Sequence, residues 1–151
     1  MKITKKGEYA LRALVNLALN YNQEMKQIQE IVREEAIPQK FLEHILVLLK
    51  NGGFVESKRG VKGGYFLSRP PHEISLGEVI RRIDGPLAPI DCASKGLHLN
   101  CPRESTCGIR SVMLDVSHAT AEIMDRVTLE DVCSRTKGMA ERRVEHLMYY
   151  I

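Results

Sequence analysis

The residues in this chain best suited to chemistry are three cysteines, Cys92, Cys101 and Cys107, which lie in one segment. The segment is rich in Gly, Pro, Asn and Ser and therefore predicts a loop. Thiolate sulfur is the usual ligand of iron–sulfur clusters, so three thiols on one loop suit such a centre. The alternatives are a disulfide pair with a spare thiol and unrelated reduced thiols, although three is an odd number for a disulfide framework.

Composition and length limit where the protein works. Of its 151 residues, 44% are hydrophobic and 27% are charged, with a formal net charge of +3. This length suffices for one compact core with a helical extension. No apolar run is long enough to span a bilayer, and the first residues lack the apolar core of a signal peptide. We therefore expect a cytoplasmic protein without a membrane partner, in a compartment where clustered thiols bind metal more often than they form bridges.

Apolar periodicity predicts three helices at the start of the chain. The first follows the capping residue Thr4 and carries a wide apolar stripe. Helices over 26–35 and 39–50 are separated by Ile37 and Pro38, which form a tight turn. This arrangement matches a helix-turn-helix, whose second helix presents N-terminal polar residues to DNA bases. The candidate base readers are Gln39, Lys40, Glu43 and His44.

A β-hairpin wing with a basic, glycine-rich tip is predicted directly after the third helix. Two β-prone runs, 54–57 and 65–68, flank this tip. Between 50 and 69 there are five Lys or Arg residues and a single acid, Glu56, which is the charge pattern expected for phosphate contacts. The alternative is a solvated hairpin with a chance cluster of charge. The candidate contacts to phosphates or the minor groove are Lys50, Lys58, Arg59, Gly60 and Lys62.

The second half of the chain predicts two further helices on either side of the cysteine loop. Ser75 and Glu78 have the spacing of a capping box. From Gly108 to about Val127, apolar positions alternate steps of three and four, as at the seam of two packed helices. We expect a homodimer through this helix, with packing against the first helix as the alternative. A short helix over 128–132 and a charged tail complete the chain.

These patterns together predict a mainly α protein with a small β wing. Residues 1–85 would form a winged helix-turn-helix domain, residues 86–107 the cysteine loop, and residues 108–151 the dimerisation helix and tail. Two recognition helices on one two-fold axis would require a roughly palindromic double-stranded DNA site. The chain shows neither a Ser/His/Asp set nor a phosphate-binding loop, so no enzyme and no small-molecule substrate are expected. A cluster enzyme or electron carrier is the rival.

The sequence resembles the bacterial IscR, NsrR, RirA and CymR family of winged-helix transcription regulators over nearly its whole length. It is most similar to IscR, the regulator of iron–sulfur cluster assembly genes. The matching stretches, besides the three cysteines, are MKITKKGEYALRAL, IPQKFLEHILVLLKNGGFV, RGVKGGYFL and ISLGEVIRRIDGP. The resemblance implies dimeric DNA-binding repressors or activators. Members with three loop cysteines carry a 2Fe–2S or 4Fe–4S cluster, whereas CymR-like members lack the triad.

The fourth metal ligand departs from the IscR pattern. IscR-like proteins have their first two cysteines closer together and a His three residues after the last cysteine. Here that position is Arg110, which has no lone pair for a metal. The resemblance makes Glu8 the first candidate, because NsrR-like members use an acidic residue there that reaches the cluster from the partner subunit. His98 in the loop is the second candidate, followed by His118 and Cys133.

The resemblance therefore predicts an iron–sulfur regulator that senses cluster supply, iron or redox state. A 2Fe–2S cluster is favoured over a 4Fe–4S cluster. The alternative is the same DNA-binding dimer responding to thiol oxidation, zinc or a partner protein without any cluster.

Overall fold

Six α-helices and one two-stranded antiparallel sheet make up the computed structural model of this chain, which describes residues 2–94 and 101–148. The helices are α1 (Lys5–Leu19), α2 (Ile28–Glu35), α3 (Gln39–Asn51), α4 (Leu76–Ile83), α5 (Gly108–Arg126) and α6 (Leu129–Met148). The strands are β1 (Val55–Lys58) and β2 (Gly64–Leu67). The predicted mainly α fold with a small β wing is confirmed. None of the described helices is both long and apolar enough to cross a membrane.

The core is built around α1. Thr4 caps this helix as predicted, because its hydroxyl accepts a hydrogen bond from the N–H of Gly7 at 3.1 Å. The apolar stripe of α1 is buried, and α2, α3, α4, α6 and β2 all pack against the helix. The largest fully buried side chains in the core that contains α1 include Ile31, Ile37, Leu42, Ile45, Leu46, Leu49, Phe54, Ile74 and Leu129.

Asp84, at the end of α4, fastens that helix to the start of α1. Its carboxylate accepts hydrogen bonds from the backbone N–H of Thr4 at 2.9 Å and from the Thr4 hydroxyl at 2.6 Å. Gly7 makes room for this contact, since a Cβ at that position would overlap the Asp84 carboxylate. Ser75 caps the other end of α4 by accepting from the N–H of Glu78 at 3.2 Å, which is one half of the predicted capping box, whereas the Glu78 carboxylate pairs with Arg69.

The helix α5 carries an apolar stripe that no other element of the described chain covers. A bidentate ion pair holds it to α4, with Arg81 donating to Asp125 at 2.6 and 2.8 Å. The apolar side chains on the far side remain 43–70% exposed. They are Ile109, Val112, Val116 and Ile123.

The prediction of a short helix followed by a charged tail is wrong, because one long helix, α6, occupies this part of the chain. It runs for 20 residues instead of ending near residue 132. Asp131 stabilises its start by accepting from the backbone N–H and hydroxyl of Thr128 at 2.8 and 2.9 Å. Leu129 and Cys133 then enter the core that contains α1. The beginning of α6 is thus part of the main core, while the division into 1–85, 86–107 and 108–151 stays a prediction.

Leu129→Ala should lower the free energy of unfolding by about 2–5 kcal/mol, because this side chain is fully buried. Met139→Ala is the control on the same helix, where the side chain is 62% exposed, and should change stability by less than about 0.5 kcal/mol. Urea denaturation followed by circular dichroism measures both. Equal losses in the two variants would contradict the packing of α6.

Candidate nucleic-acid interface and metal centre

The helix-turn-helix consists of α2, a left-handed turn residue and α3. Gln27 and Glu30 form a capping box that starts α2 two residues later than periodicity predicts. Ala36 adopts a left-handed backbone, with φ 49° and ψ 41°, and so ends α2. Ile37 is buried under the turn, and Pro38 precedes the first residue of α3. The turn is therefore fixed by both its backbone and its buried side chain.

One face of α3 is exposed and carries all four predicted base readers. Gln39, Lys40, Glu43 and His44 are exposed, and Gln39 donates to the Glu43 carboxylate at 2.9 Å. Val47 continues this face one turn further and is 56% exposed. Sequence reasoning missed Val47, although its position outside the apolar i, i+3, i+4 set was the available signal. A valine there is suited to contact a thymine methyl group.

The wing is fixed against the helix-turn-helix by backbone pairing. In the sheet, Lys58 lies opposite Gly64 at the tip end, and each strand begins and ends within one residue of its prediction. Lys26, which precedes α2, exchanges two backbone hydrogen bonds with Tyr65 of β2, at 2.8 and 3.1 Å. The direction of the wing is thus set relative to α2.

The wing tip presents cations to solvent. Lys58, Arg59 and Lys62 are all exposed, and none of them forms an ion pair with a carboxylate in the described part of the chain. Gly60 has a φ of 118°, a backbone conformation that favours glycine and forms the tip. The three side chains can therefore meet phosphates without first breaking such a pair.

The other two cations of the sequence cluster have partners within the fold. Lys50, at the end of α3, donates to the hydroxyl of Ser57 in β1 at 2.8 Å and remains exposed. Arg69 pairs with Glu78 at 2.6 Å and lies over the ring of Phe54, 5.6 Å from its centre. Lys50 thus borders the recognition face, whereas Arg69 joins the wing to α4.

Cys107 and the turn that carries Cys92 lie at the N-terminal end of α5. Cys92, in the 3-10 turn Asp91–Ala93, and Cys107 are half-buried, whereas Cys101 is exposed, and all three are free thiols. Cys107 is the N-cap of α5, and its sulfur accepts from the N–H of Arg110 at 3.4 Å. The positive end of a helix dipole favours a negative charge at this position.

Arg110 joins the two turns that carry these cysteines. Its Nε donates to the backbone carbonyl of Cys92 at 3.0 Å, and its guanidinium pairs with Glu104 at 3.1 Å. Sequence reasoning missed this role because it considered only whether Arg110 could ligate a metal. Among the described residues, no group of three or more His, Cys, Asp or Glu side chains is placed to hold a metal ion. Within the described residues, the three cysteines are therefore not gathered into one such group.

Glu8, the first candidate for the fourth ligand, contacts two cations on α1. Its carboxylate lies 2.7 Å from the Lys5 ammonium and 3.7 Å from the Arg12 guanidinium. The hydrogen bond from Lys5 lowers the pKa of Glu8, and the charge of Arg12 acts in the same direction. The group is therefore an anion at neutral pH. His98, the second candidate, lies outside the described residues.

Arg12 links Glu8 to the turn of the helix-turn-helix. Its Nε donates to the Glu35 carboxylate at 3.3 Å, and its guanidinium also donates to the Glu35 backbone carbonyl. Glu35 is the last residue of α2 and directly precedes Ala36. The buried Asn16 donates to the same Glu35 carboxylate at 2.9 Å. Glu8 is thus connected through Arg12 and Glu35 to the turn before α3, so a change in the partners of Glu8 can alter the contacts of that turn.

The remaining ligand candidates lie on α5 and α6. Cys133 is buried in the core, and burial raises the pKa of its thiol. This environment favours an unreactive, protonated thiol. His118 is exposed on α5, beside a cavity that it shares with Arg81 and Asp125.

A helix-turn-helix followed directly by a basic wing defines a winged-helix DNA-binding protein. The Rrf2 family, described as iron-dependent transcriptional regulators, matches residues 3–135, and the chain belongs to this family. It is a transcription regulator, which confirms the prediction that it is not an enzyme.

Three relatives illustrate the similarity. An rrf2-like HTH-type transcriptional regulator of Rhodobacter capsulatus is 41% identical over 136 residues, 86% of this chain and 91% of that protein. CymR of Bacillus subtilis is 30% identical over 100% of both chains. Its structure, described as that of the global cysteine regulator, has a TM-score of 0.76 at 29% identity, covering 89% of this chain and 98% of that one. The structure of T. potens IscR has a TM-score of 0.73 at 26% identity, covering 90% and 88%.

Arg59→Ala and Lys62→Ala should each weaken DNA binding and make it less sensitive to salt. Each lost phosphate contact should lower the slope of log affinity against log salt concentration by about 0.9. Lys137→Ala, which removes the same charge from an exposed position of α6, is the control and should keep the parental slope. Fluorescence anisotropy with operator DNA at several salt concentrations measures the slopes. If both wing variants keep the parental slope, the wing does not contact DNA.

Proposed function

We propose that this regulator is a homodimer that binds an iron–sulfur cluster through Cys92, Cys101 and Cys107. The observation that carries the proposal is that all three cysteines are free thiols and that Cys107 and the turn of Cys92 meet at the N-terminal end of α5, the helix with the exposed apolar stripe. The description of the family as iron-dependent supports an iron centre. We favour a 2Fe–2S cluster, with a 4Fe–4S cluster as the other form.

The chemistry of the donor set fits such a cluster. The three sulfurs are free for thiolate ligation, and two of them are half-buried. The Arg110 guanidinium links the Cys92 carbonyl to the Glu104 carboxylate and so holds the Cys92 turn beside the turn that precedes Cys107. Glu8 of the partner subunit is the proposed fourth ligand. When bound, a cluster supplies a centre that responds to oxygen and to redox state.

The exposed stripe of α5 supports a second copy of this chain as its partner. Ile109, Val112, Val116 and Ile123 form one apolar face that monomeric proteins seldom leave in water. Isologous pairing through this face places two cysteine segments and two recognition helices about one two-fold axis. A roughly palindromic DNA site matches that symmetry.

The proposed DNA contacts come from α3 and the wing. Gln39, Lys40 and His44 read base edges, and Glu43 accepts from a cytosine amino group or repels other sequences. Their exposure on one face of α3 supports this assignment. The contacts to phosphates or the minor groove are Lys50, Lys58, Arg59, Lys62 and the backbone of Gly60.

The state of the cysteine segment reaches the DNA-binding face through two sets of contacts. Arg81 and Asp125 hold α5 to α4, and Asp84 holds α4 to α1. Arg12, which Glu8 and Glu35 share, holds α1 to the end of α2. A change at the cysteines or at Glu8 therefore alters the packing of α1 and α2 against α3. The expected effect on the free energy of DNA binding is about 1–3 kcal/mol, the usual size of such coupling.

A cluster-free regulator that responds to thiol oxidation, zinc or a partner protein is the second candidate. Two observations favour it: the described residues form no metal-holding group, and the similarity to CymR extends over both full chains. Anaerobic purification, followed by an absorption spectrum and iron and sulfide analysis, separates the candidates. Stoichiometric iron and sulfide support the cluster, while their absence after anaerobic reconstitution favours the second candidate.

Replacing Cys92, Cys101 or Cys107 by Ala should abolish cluster incorporation, because each removes one thiolate ligand. Cys133→Ala is the matched control, since this cysteine is buried in the core, and should leave incorporation nearly intact. Iron and sulfide content after anaerobic reconstitution is the measurement. An equal loss in the Cys133 variant would show that a ligand has been assigned wrongly.

Glu8→Ala should allow the cluster to assemble but speed its loss in air, because three thiolates remain while one iron site becomes open to solvent. The decay of the charge-transfer absorption in air is measured against the parent protein. His98→Ala is the comparison and should decay at the parental rate. The opposite pattern would place the fourth ligand in the cysteine loop.

A further inference from the structure

The C-terminal end of the recognition helix α3 is capped by a side chain from α4. The backbone turn that follows α3 satisfies the carbonyls of residues 48–50. The carbonyl of Asn51, the last residue of the helix, accepts a hydrogen bond from the guanidinium of Arg82 at 3.2 Å. The last carbonyls of a helix have no intrahelical partner, and a cation beside them also meets the negative end of the helix dipole. Arg82 therefore joins α4 to the end of α3.

Gly52, the residue after α3, allows this close approach. A Cβ at position 52 would lie 2.8 Å from the ring of Phe54 and 3.1 Å from Cγ of Arg82. The Phe54 ring is buried and lies under the guanidinium of Arg69, which pairs with Glu78 of α4 at 2.6 Å. Arg82 and Arg69 thus both connect α4 to the segment in which α3 ends.

The functions assigned so far do not account for Arg82. Its side chain is exposed, and it forms none of the ion pairs in the described part of the chain. It is neither a proposed DNA contact nor a proposed cluster ligand. The contact with the Asn51 carbonyl is the observation that indicates its role.

We propose that Arg82 is a positioning residue for sequence recognition. It fixes the end of α3 to α4, and so the orientation in which α3 meets DNA, without touching DNA itself. Hydrogen bonds to base edges require close distances and good alignment, so a small rotation of α3 weakens them. The phosphate contacts of the wing carry no sequence information and are retained. The inference rests on the proposed role of α3 in reading DNA.

The neighbouring Arg81 connects the same helix to α5. It donates to Asp125 at 2.6 and 2.8 Å. Adjacent residues of a helix do not face each other, so α4 contacts α5 through one arginine and the end of α3 through the next. A change at the start of α5, where Cys107 lies, therefore has a path to α3 through α4. This consequence rests on the proposed function of the cysteines, whereas the positioning role does not.

Arg82→Met tests the positioning role, because methionine keeps an unbranched stem beside Gly52 but has no hydrogen-bond donor. Fluorescence anisotropy with the full-length protein measures the Kd for two duplexes. One is an operator selected with the parent protein from a random-sequence library, and the other is an unrelated sequence of equal length. The Kd for the operator should rise about threefold to tenfold, as for one lost hydrogen bond, and that for the unrelated duplex by less than about twofold.

Two further variants complete this test. Arg82→Lys retains N–H donors and should restore the parental ratio of the two Kd values. Arg135→Met removes an exposed arginine of α6, away from α3, and should keep both Kd values. Equal weakening on both duplexes in Arg82→Met would make Arg82 a phosphate contact and overturn the proposal. Parental Kd values on both duplexes, or a failure of the lysine variant to restore the ratio, would overturn it as well.

His44→Ala and the iron content of the same preparations separate this proposal from the proposed function. If His44→Ala weakens operator binding and Arg82→Met does not, the positioning role alone fails. If neither variant weakens it, the proposed recognition by α3 fails too. A parent protein that incorporates no iron would contradict the cluster, while the two Kd values of Arg82→Met would still decide the positioning role. In a parent that does incorporate iron, the difference between its iron-loaded and iron-free operator Kd should shrink in Arg82→Met, and an unchanged difference would contradict the path from α5.

Discussion

The buried face of α1 is the constraint on which every candidate functional element depends. Ala10, Ala13 and Leu14 on this face are completely buried, and α2, α3, α4, α6 and β2 all pack against the helix. Close packing leaves little room for one element to shift without its neighbours. The recognition helix, the wing and α4 therefore share one reference surface, so a displacement of α4 disturbs the packing that also supports α3 and the wing.

Polar contacts at the rim of this core connect the cysteine segment to α2. Arg110 ties the turn of Cys92 to α5, the pair of Arg81 and Asp125 ties α5 to α4, and Arg12 ties α1 to the end of α2. Exposed ion pairs of this kind are individually weak. They therefore set positions and do little to stabilise the fold. Weak positional links suit a regulator, because a modest change at one end can shift the balance between two arrangements.

Helices with a clear apolar stripe could be predicted from the sequence, and those without one could not. The third helix leaves Gln39, Lys40, Glu43 and His44 outside its apolar set, and the structure exposes all four. The last helix has few apolar residues after Cys133 and contains Gly138, so periodicity predicted a tail. It continues because residues such as Ala, Glu, Arg and Met have high helix propensity even without an apolar face. Its first turn is also anchored in the core by Leu129.

The candidate metal centre could be predicted only as a set of donors. The sequence identifies three thiols on one loop. The distances between their sulfurs depend on the path of the loop and on any partner subunit, and neither can be read from the sequence pattern. The structure adds a role for Arg110, whose guanidinium links the backbone carbonyl of Cys92 to the carboxylate of Glu104, in the turn that precedes Cys107. A guanidinium has no lone pair for a metal, so Arg110 positions these turns without occupying a coordination position. In the proposed centre, the fourth position is left for a donor on another element.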